Sequence, residues 1–460
     1  MPDGCQTGSP FALRNIQLFI AFRILFNARF YYPVFTILFL DYGLTIEQFA
    51  LLNTVWAITI VAAEVPSGAL ADIIGRKRLI VATTFLMIFE LGVIAFVPLH
   101  NVTLVFYAFL FNRVLSGLAE AMASGADEAL AYDTLANHNL RDCWPKVLSL
   151  QMRLKALAGL LTATTGALVY DPAVINKLLS WWGSAATVSQ QDSMRYPVFL
   201  TLVLAFMAAG VSLMFTETSE EYQQHNNHDS FLKNMAAALK ITGKAGVWIL
   251  HTPFALAVIL CGMFYDHVLR LLITMTSQYF RLIQLPEASF GLISAAMSLM
   301  GLVVPKICEK MVERFTPEQN VFFLFAFSIV GLFLLSLFVP YFGLIPVAFV
   351  SIGIMMVGFF TSHYLNRVTS SEQRATVLSF KGLVFNLGYG LIGVFFALLM
   401  QQTRSRTGAL HPEWTEDLVE AESFISSVSW TPWYTIVLFI LLLLFLRHIL
   451  KGVSNHKRRG

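Results

Sequence analysis

Long apolar runs separated by short polar punctuation dominate the chain from end to end. Each run approaches the roughly 20 residues that a helix needs to cross a hydrocarbon core about 30 Å thick. The pattern predicts twelve such spans in two sets of six. The first set runs from Ile16 to Leu40, Phe49 to Ala71, Leu79 to Pro98, Leu104 to Ala131, Val147 to Val169 and Val198 to Phe215. The second runs from Val247 to Ile273, Phe290 to Val304, Val321 to Val339, Gly343 to Tyr364, Thr376 to Met400 and Trp433 to Leu446. The stretch from Val247 to Phe280 is long enough for a bent or broken helix. An all-α integral membrane protein is therefore expected, with a bundle over residues 1–215, a linker over 216–245 and a second bundle with a basic tail over 246–460.

Composition agrees: 57% of residues are hydrophobic and only 13% charged, far from the balance of a soluble domain. Lys and Arg in short loops are retained on the cytoplasmic side, and they are distributed unevenly here. Arg76, Lys77, Arg78, Lys240, Lys244, Lys306, Lys310, Arg367, Arg374, Lys381 and the tail fall on one side, against Lys177, Arg195, Arg281, Arg404 and Arg406 on the other. Both termini are thus expected in the cytoplasm of a bacterial-type plasma (inner) membrane. The polar opening residues and a span-length first run argue against a cleavable signal peptide. None of Cys5, Cys143, Cys261 and Cys308 falls in an outer loop, so no disulfide is expected. The net charge of +3 comes mostly from these topology-setting residues and implies no nucleic-acid partner.

Two regions carry chemistry. The loop Gly68-Ala-Leu-Ala-Asp72-Ile-Ile-Gly75-Arg76-Lys77-Arg78 joins the second and third spans. The fourth span sets Arg113, Gly117, Glu120, Ser124 and Asp127 at spacings of four, three, four and three, which is one stripe of a helix. Charge inside the bilayer is expensive, so such a stripe should face water, solute or an ion partner. Its bland reading is an ion-pair network with Arg153 and Lys155 of the next span. Further polar groups inside spans are Arg23, Asn27 and Arg29 on the first, Glu90 on the third, and Asp266 and Arg270 on the seventh. Outside the spans, Glu413 to Ser426 suggests an acidic amphipathic helix with Trp414, Leu418, Ala421 and Ile425 on its apolar side.

The Gly68 loop resembles the signature loop between the second and third helices of the major facilitator superfamily, and Arg113-Val-Leu-Ser-Gly117-Leu-Ala-Glu120-Ala121 is similar to that family's fourth-helix motif. A six-plus-six fold and secondary transport by alternating access are what the resemblance implies. It also implies a conformational latch of Gly68, Asp72, Gly75, Arg76 and Asp133, in which Asp72 faces the helix starting near Thr376 and Arg76 meets Asp133. Arg113 would serve proton coupling, joined by Glu120, Asp127 and Asp266, while Arg23, Asn27, Arg29, Glu90 and Arg270 would line the solute cavity. Arg23, Arg29, Arg113 and Arg270 outnumber the mid-membrane acids Glu90, Glu120 and Asp266, and planar guanidinium groups suit carboxylate or phosphate, which favours a small organic anion. Multidrug efflux is the alternative, and a non-transporting sensor or scaffold is the alternative of another class. Nucleotide-binding, metal-ligating and nucleophile-elbow patterns are missing from the sequence. We therefore expect no enzyme, no cofactor and no metal, and a monomer whose partners are a small solute, the lipid bilayer and protons.

Overall fold

The computed structural model describes residues 9–123, 126–216, 231–369 and 371–457. Its architecture is all-helical. In lipid every backbone N–H and C=O must be satisfied within its own segment, and long helices achieve this locally. Eleven helical segments among the described residues are long and apolar enough to cross a membrane, and a twelfth results if one bent pair counts as a single span. That pair is Arg141–Tyr170 and Pro172–Trp181, which meet at 79°. Asp171 between them caps the second helix by accepting from the Ala173 amide, and Pro172 occupies a first-turn position where its missing N–H costs nothing.

Contacts divide the chain into two compact units. Unit 1 comprises Met1–Leu44, Ile58–Leu239 and Glu287–Ala295, and unit 2 comprises Thr45–Ala57, Lys240–Pro286 and Ala296–Gly460. The helices of the first half are α1 (Arg14–Asn27), α2 (Phe35–Asp41), α3 (Ile46–Ile74), α4 (Arg76–Phe96), α5 (Val102–Ala123), α6 (Ala126–Asn137), α7 (Trp144–Tyr170), α8 (Pro172–Trp181), α9 (Gln190–Ser193) and α10 (Tyr196–Leu213). In unit 1, α4 packs between α5 and α10, while α1 lies against α6, α7 and α10. The first span expected from the sequence is interrupted, because a short 3-10 turn at Tyr32–Val34 separates α1 from α2. Helix approach in this unit is close. A Cβ on Gly166 of α7 would sit 1.7 Å from the Phe30 carbonyl oxygen, and one on Gly291 would sit 2.1 Å from the Ala163 carbonyl oxygen.

The second half continues with α11 (Phe231–His251), α12 (Pro253–Thr274), α13 (Thr276–Leu282), α14 (Phe290–Leu299), α15 (Val304–Arg314), α16 (Pro317–Leu335), α17 (Leu344–Val368), α18 (Ser371–Leu410), α19 (Glu416–Ser429) and α20 (Thr431–Lys457). In unit 2, α12 is central and packs on α17, α18 and α20. The first turns of α3 belong to this unit, where the Thr54 hydroxyl donates to the Gly390 carbonyl and Glu47 meets Arg404, which also holds Glu420. A capping box at Thr316 and Gln319, with Pro317 in the first turn, starts α16.

Several sequence expectations need correction. A helix from Phe231 to His251 runs through the end of the expected linker and the start of the expected Val247 to Ile273 span, which begins instead at Pro253, where Thr252 and the proline ring interrupt the helix. The amphipathic helix α19 buries Val419, Ser423, Phe424, Ser427 and Val428 rather than the Leu418, Ala421, Ile425 side. Its serines are compatible with burial because the Ser423 hydroxyl returns to the Val419 carbonyl, which removes the polar penalty that hydropathy assigns. Cys143 is disulfide-bonded, whereas Cys261 and Cys308 are buried free thiols. The compartment argument bears on whether such a bond persists, not on whether two thiols come together.

Candidate functional site

Unit 1 contains a buried charge layer built from α1, α4 and α5. Arg29, just past the end of α1, places Nη1 3.1 Å from Oε1 of Glu90 on α4, and the two side chains are 6% and 0% exposed. Asn112 of α5 binds the same turn of α4 by donating to the Glu90 carbonyl at 2.9 Å. Its Oδ1 accepts from Nε and Nη2 of Arg113 at 3.0 and 2.9 Å. The Arg113 guanidinium lies over the rings of Phe35 and Phe39, 5.4 and 5.5 Å from their centres. Arg113 is only 4% exposed, yet no carboxylate pairs with it among the described residues. The Tyr31 hydroxyl also interacts with Arg113. An amide oxygen, a phenol and two aromatic faces carry partial negative charge only, so this cation retains capacity for an anion.

The acids of the fourth span pair elsewhere. Arg23 of α1 contacts buried Asp127 at 2.6 Å through Nε and reaches Glu128 through Nη2. The sequence points to Arg153 and Lys155 as partners. Instead Arg153 turns its Nε back to the Ser149 carbonyl at 3.3 Å, and Lys155 feels Glu120, Asp127 and Glu128 only at longer range. Glu120 is exposed and makes neither hydrogen bond nor ion pair among the described residues, and it acts electrostatically on Arg29 and Lys155. Asn27 spends its amide on the Arg23 carbonyl at 2.8 Å, one turn back.

At the junction of α3 and α4, Gly75 holds φ +92°, a conformation costly for any side chain. The turn it permits brings Arg76 into an ion pair with Asp133 of α6, the two side chains being 29% and 37% exposed. The surroundings of Gly68, the side chain of Asp72 and those of residues 371–376 opposite which Asp72 is expected lie outside the described residues. Ser67 is described, and its hydroxyl donates to the Glu64 and Ala121 carbonyls.

Unit 2 has a second charged cluster, between α12 and α18. Asp266 and Arg270 share one face of α12, with Arg270 Nη2 2.6 Å from Asp266 Oδ2. Arg270 Nη1 donates to Oδ1 of Asn386 at 2.9 Å, and its guanidinium stands 5.4 Å from the centre of the Tyr389 ring. Lys381, one turn before Phe385, places Nζ 5.3 Å from the centre of that ring and interacts electrostatically with Asp266. Lys381 and Asn386 are absent from the sequence-derived site. Lys381 appears there only as a topology-setting charge, although its spacing of four and five from Phe385 and Asn386 was legible. His267 turns away, with Nε2 3.1 Å from the Tyr434 hydroxyl.

The described residues define a helical protein with membrane-length spans and charge layers buried within them. Comparison with known proteins makes this specific. The family model for the Major Facilitator Superfamily matches residues 18–393, and the chain belongs to that superfamily. No curated protein matches the chain in sequence. Solved structures similar in fold include a bacterial homolog of the human lysosomal transporter Spinster, in an inward-facing and unoccupied conformation. It is 13% identical, with a TM-score of 0.70 over 97% of this chain and 98% of that one. The nucleoside transporter NupG is 12% identical, with a TM-score of 0.65 over 95% of this chain and 98% of that one. A D-xylose–proton symporter is 11% identical, with a TM-score of 0.63 over 91% of this chain and 96% of that one. At these identities the likeness is one of fold. The chain is a multi-pass membrane transporter of the superfamily.

Proposed function

We propose that the protein moves a small organic anion across a bacterial-type inner membrane by alternating access, coupled to protons. Both termini lie in the cytoplasm in this reading, and residues 1–215 and 246–460 act as the two rocking bundles. The observation that carries it is Arg113, a buried guanidinium with an amide, the Tyr31 hydroxyl, two aromatic rings and, among the described residues, no carboxylate paired with it. A cation left unneutralised inside a span is a functional site by default, and carboxylate is the partner its geometry suits. Proton coupling draws on the acids Glu120, Asp127 and Asp266 within spans, each near an arginine or lysine whose charge a proton can release. Gly68, Asp72, Gly75, Arg76 and Asp133 form the latch that holds one conformation. The likeness in fold to a D-xylose–proton symporter is in keeping with the coupling proposed here.

Counterflow in proteoliposomes tests the reading. Liposomes preloaded with unlabelled succinate, gluconate or citrate should transiently accumulate the labelled form, and Arg113→Ala should abolish this. Counterflow of cationic drugs alone, undiminished in Arg113→Ala, would replace the anion reading with multidrug efflux.

A further inference from the structure

Unit 2 contains a charge arrangement that its ion pair alone does not explain. Asp266 is the sole carboxylate interacting with Arg270 and Lys381 among the described residues, so one negative charge answers two positive ones. The contact from Arg270 to Asp266 is short, yet Oδ2 of Asp266 is buried without a properly aligned hydrogen bond. Lys381 makes no hydrogen bond or ion pair among the described residues and rests instead over the Phe385 ring. Asn386 and Tyr389 hold Arg270 from the other side, through its Nη1 and its guanidinium face. Lys381, Phe385, Asn386 and Tyr389 follow one another at helical spacing, so a single face of α18 presents all four toward Asp266 and Arg270 of α12.

We propose that Arg270 and Lys381 form a carboxylate-binding pair in unit 2, and that Asp266 is a built-in anion that occupies it until a proton and the carboxylate of the solute together displace it. The proposal rests on the transporter reading above and gives unit 2 a carboxylate site of its own, in addition to the one that reading places at Arg113. A free carboxylate offers Arg270 two oxygens in a planar fork, which Asp266, tied to the same helix one turn away, does not align. Lys381 supplies a compact second cation with rotatable donors. The order of charges sets the coupling. With Asp266 ionised, an incoming carboxylate meets a like charge and an already engaged arginine. With Asp266 protonated, the site has two cations and no anion, and the carboxylate enters. One proton thus accompanies one carboxylate, with no bond broken beyond the ion pair. Among the described residues, α20 brings Tyr434 to His267 and not to Asp266, and α17 presents no charged group to Asp266.

The test is the thermal stability of the purified full-length protein in detergent. Succinate, gluconate and benzoate serve as probes at pH 5.5 and pH 8, with uncharged benzamide as control. In the parent protein, at least one carboxylate should raise the melting temperature at pH 5.5, with an affinity at least about tenfold lower at pH 8. Lys381→Met should weaken that carboxylate about tenfold or more, and Lys381→Arg should retain most of the binding. Asp266→Asn should bind it equally well at both pH values. Undiminished binding in Lys381→Met, or a pH dependence that survives in Asp266→Asn, overturns the proposal, and the second reading holds even if Lys381→Met does not fold. If no carboxylate binds while neutral or cationic solutes bind and are transported, this site falls and the transporter reading stands. If no solute of any class is bound or transported, the transporter reading itself falls.

Discussion

Removing Arg29 should be far more damaging to the fold than removing Arg76, although both form one ion pair with one acid. Arg29 and Glu90 are 6% and 0% exposed, and Glu90 Oε2 is buried with no partner of its own. Arg29→Met therefore leaves a carboxylate fully desolvated and unpaired. Breaking a buried pair in this way costs about 3–5 kcal/mol, or roughly two to three and a half decades in the unfolding equilibrium. Replacing both partners, as Arg29→Met with Glu90→Leu, removes the orphaned charge and should recover most of that loss. Arg76 and Asp133 are exposed enough for water and salt to screen them, and Arg76→Gln should cost at most about 1 kcal/mol. Unfolding in mixed detergent and SDS micelles, followed by tryptophan fluorescence, gives the free energies of the parent, Arg29→Met, Glu90→Leu, the double variant and Arg76→Gln. An Arg29→Met protein within about 1 kcal/mol of the parent, or strict additivity in the double variant, would refute the assignment of Arg29 and Glu90 as a mutually neutralising buried pair.

Other consequences follow from contacts described above. Arg76→Gln or Asp133→Asn should leave solute affinity nearly unchanged while altering the labelling rate of single cysteines placed near the two ends of the spans; lost affinity with unaltered labelling would contradict the latch. Gly166→Ala and Gly291→Ala place a methyl group against backbone rather than a yielding side chain, so each should lower the melting temperature by several degrees, and an unchanged melting curve would show that α7 is not held that closely. Arg23→Gln orphans Asp127 and should destabilise the fold more than Arg153→Gln, whose side chain only reaches back along its own helix; equal effects would contradict Arg23 as the counter-ion.

Hydropathy made the span count legible because each helix must satisfy its own backbone in lipid. The Gly75-Arg76 turn was legible because a positive φ demands glycine and the family's loop motif points from Arg76 to Asp133. Pairing between distant spans was not. Arg23 reaches Asp127 and Glu128 across more than 100 positions, and helical spacing alone gives no reason to prefer it over Arg153 one helix away. Lys381 escaped for a different reason. The eleventh helix begins at Ser371, not near Thr376, so a lysine read as lying at the helix entrance sits well inside it, facing Asp266. The buried side of α19 was missed because Ser423 and Ser427 count as polar in any hydropathy scale while their hydroxyls bond within the protein.

Proton flux accompanying anion flux is the most direct test of the central claim. Proteoliposomes loaded with a pH-sensitive dye, with no imposed pH gradient and the membrane potential clamped, would receive an inward gradient of succinate, gluconate or citrate, with protein-free liposomes correcting for leak. The account predicts that at least one of these anions acidifies the lumen in the parent protein and fails to do so in Arg113→Ala. Movement of the anion with no change in luminal pH, or acidification identical in Arg113→Ala, would contradict it.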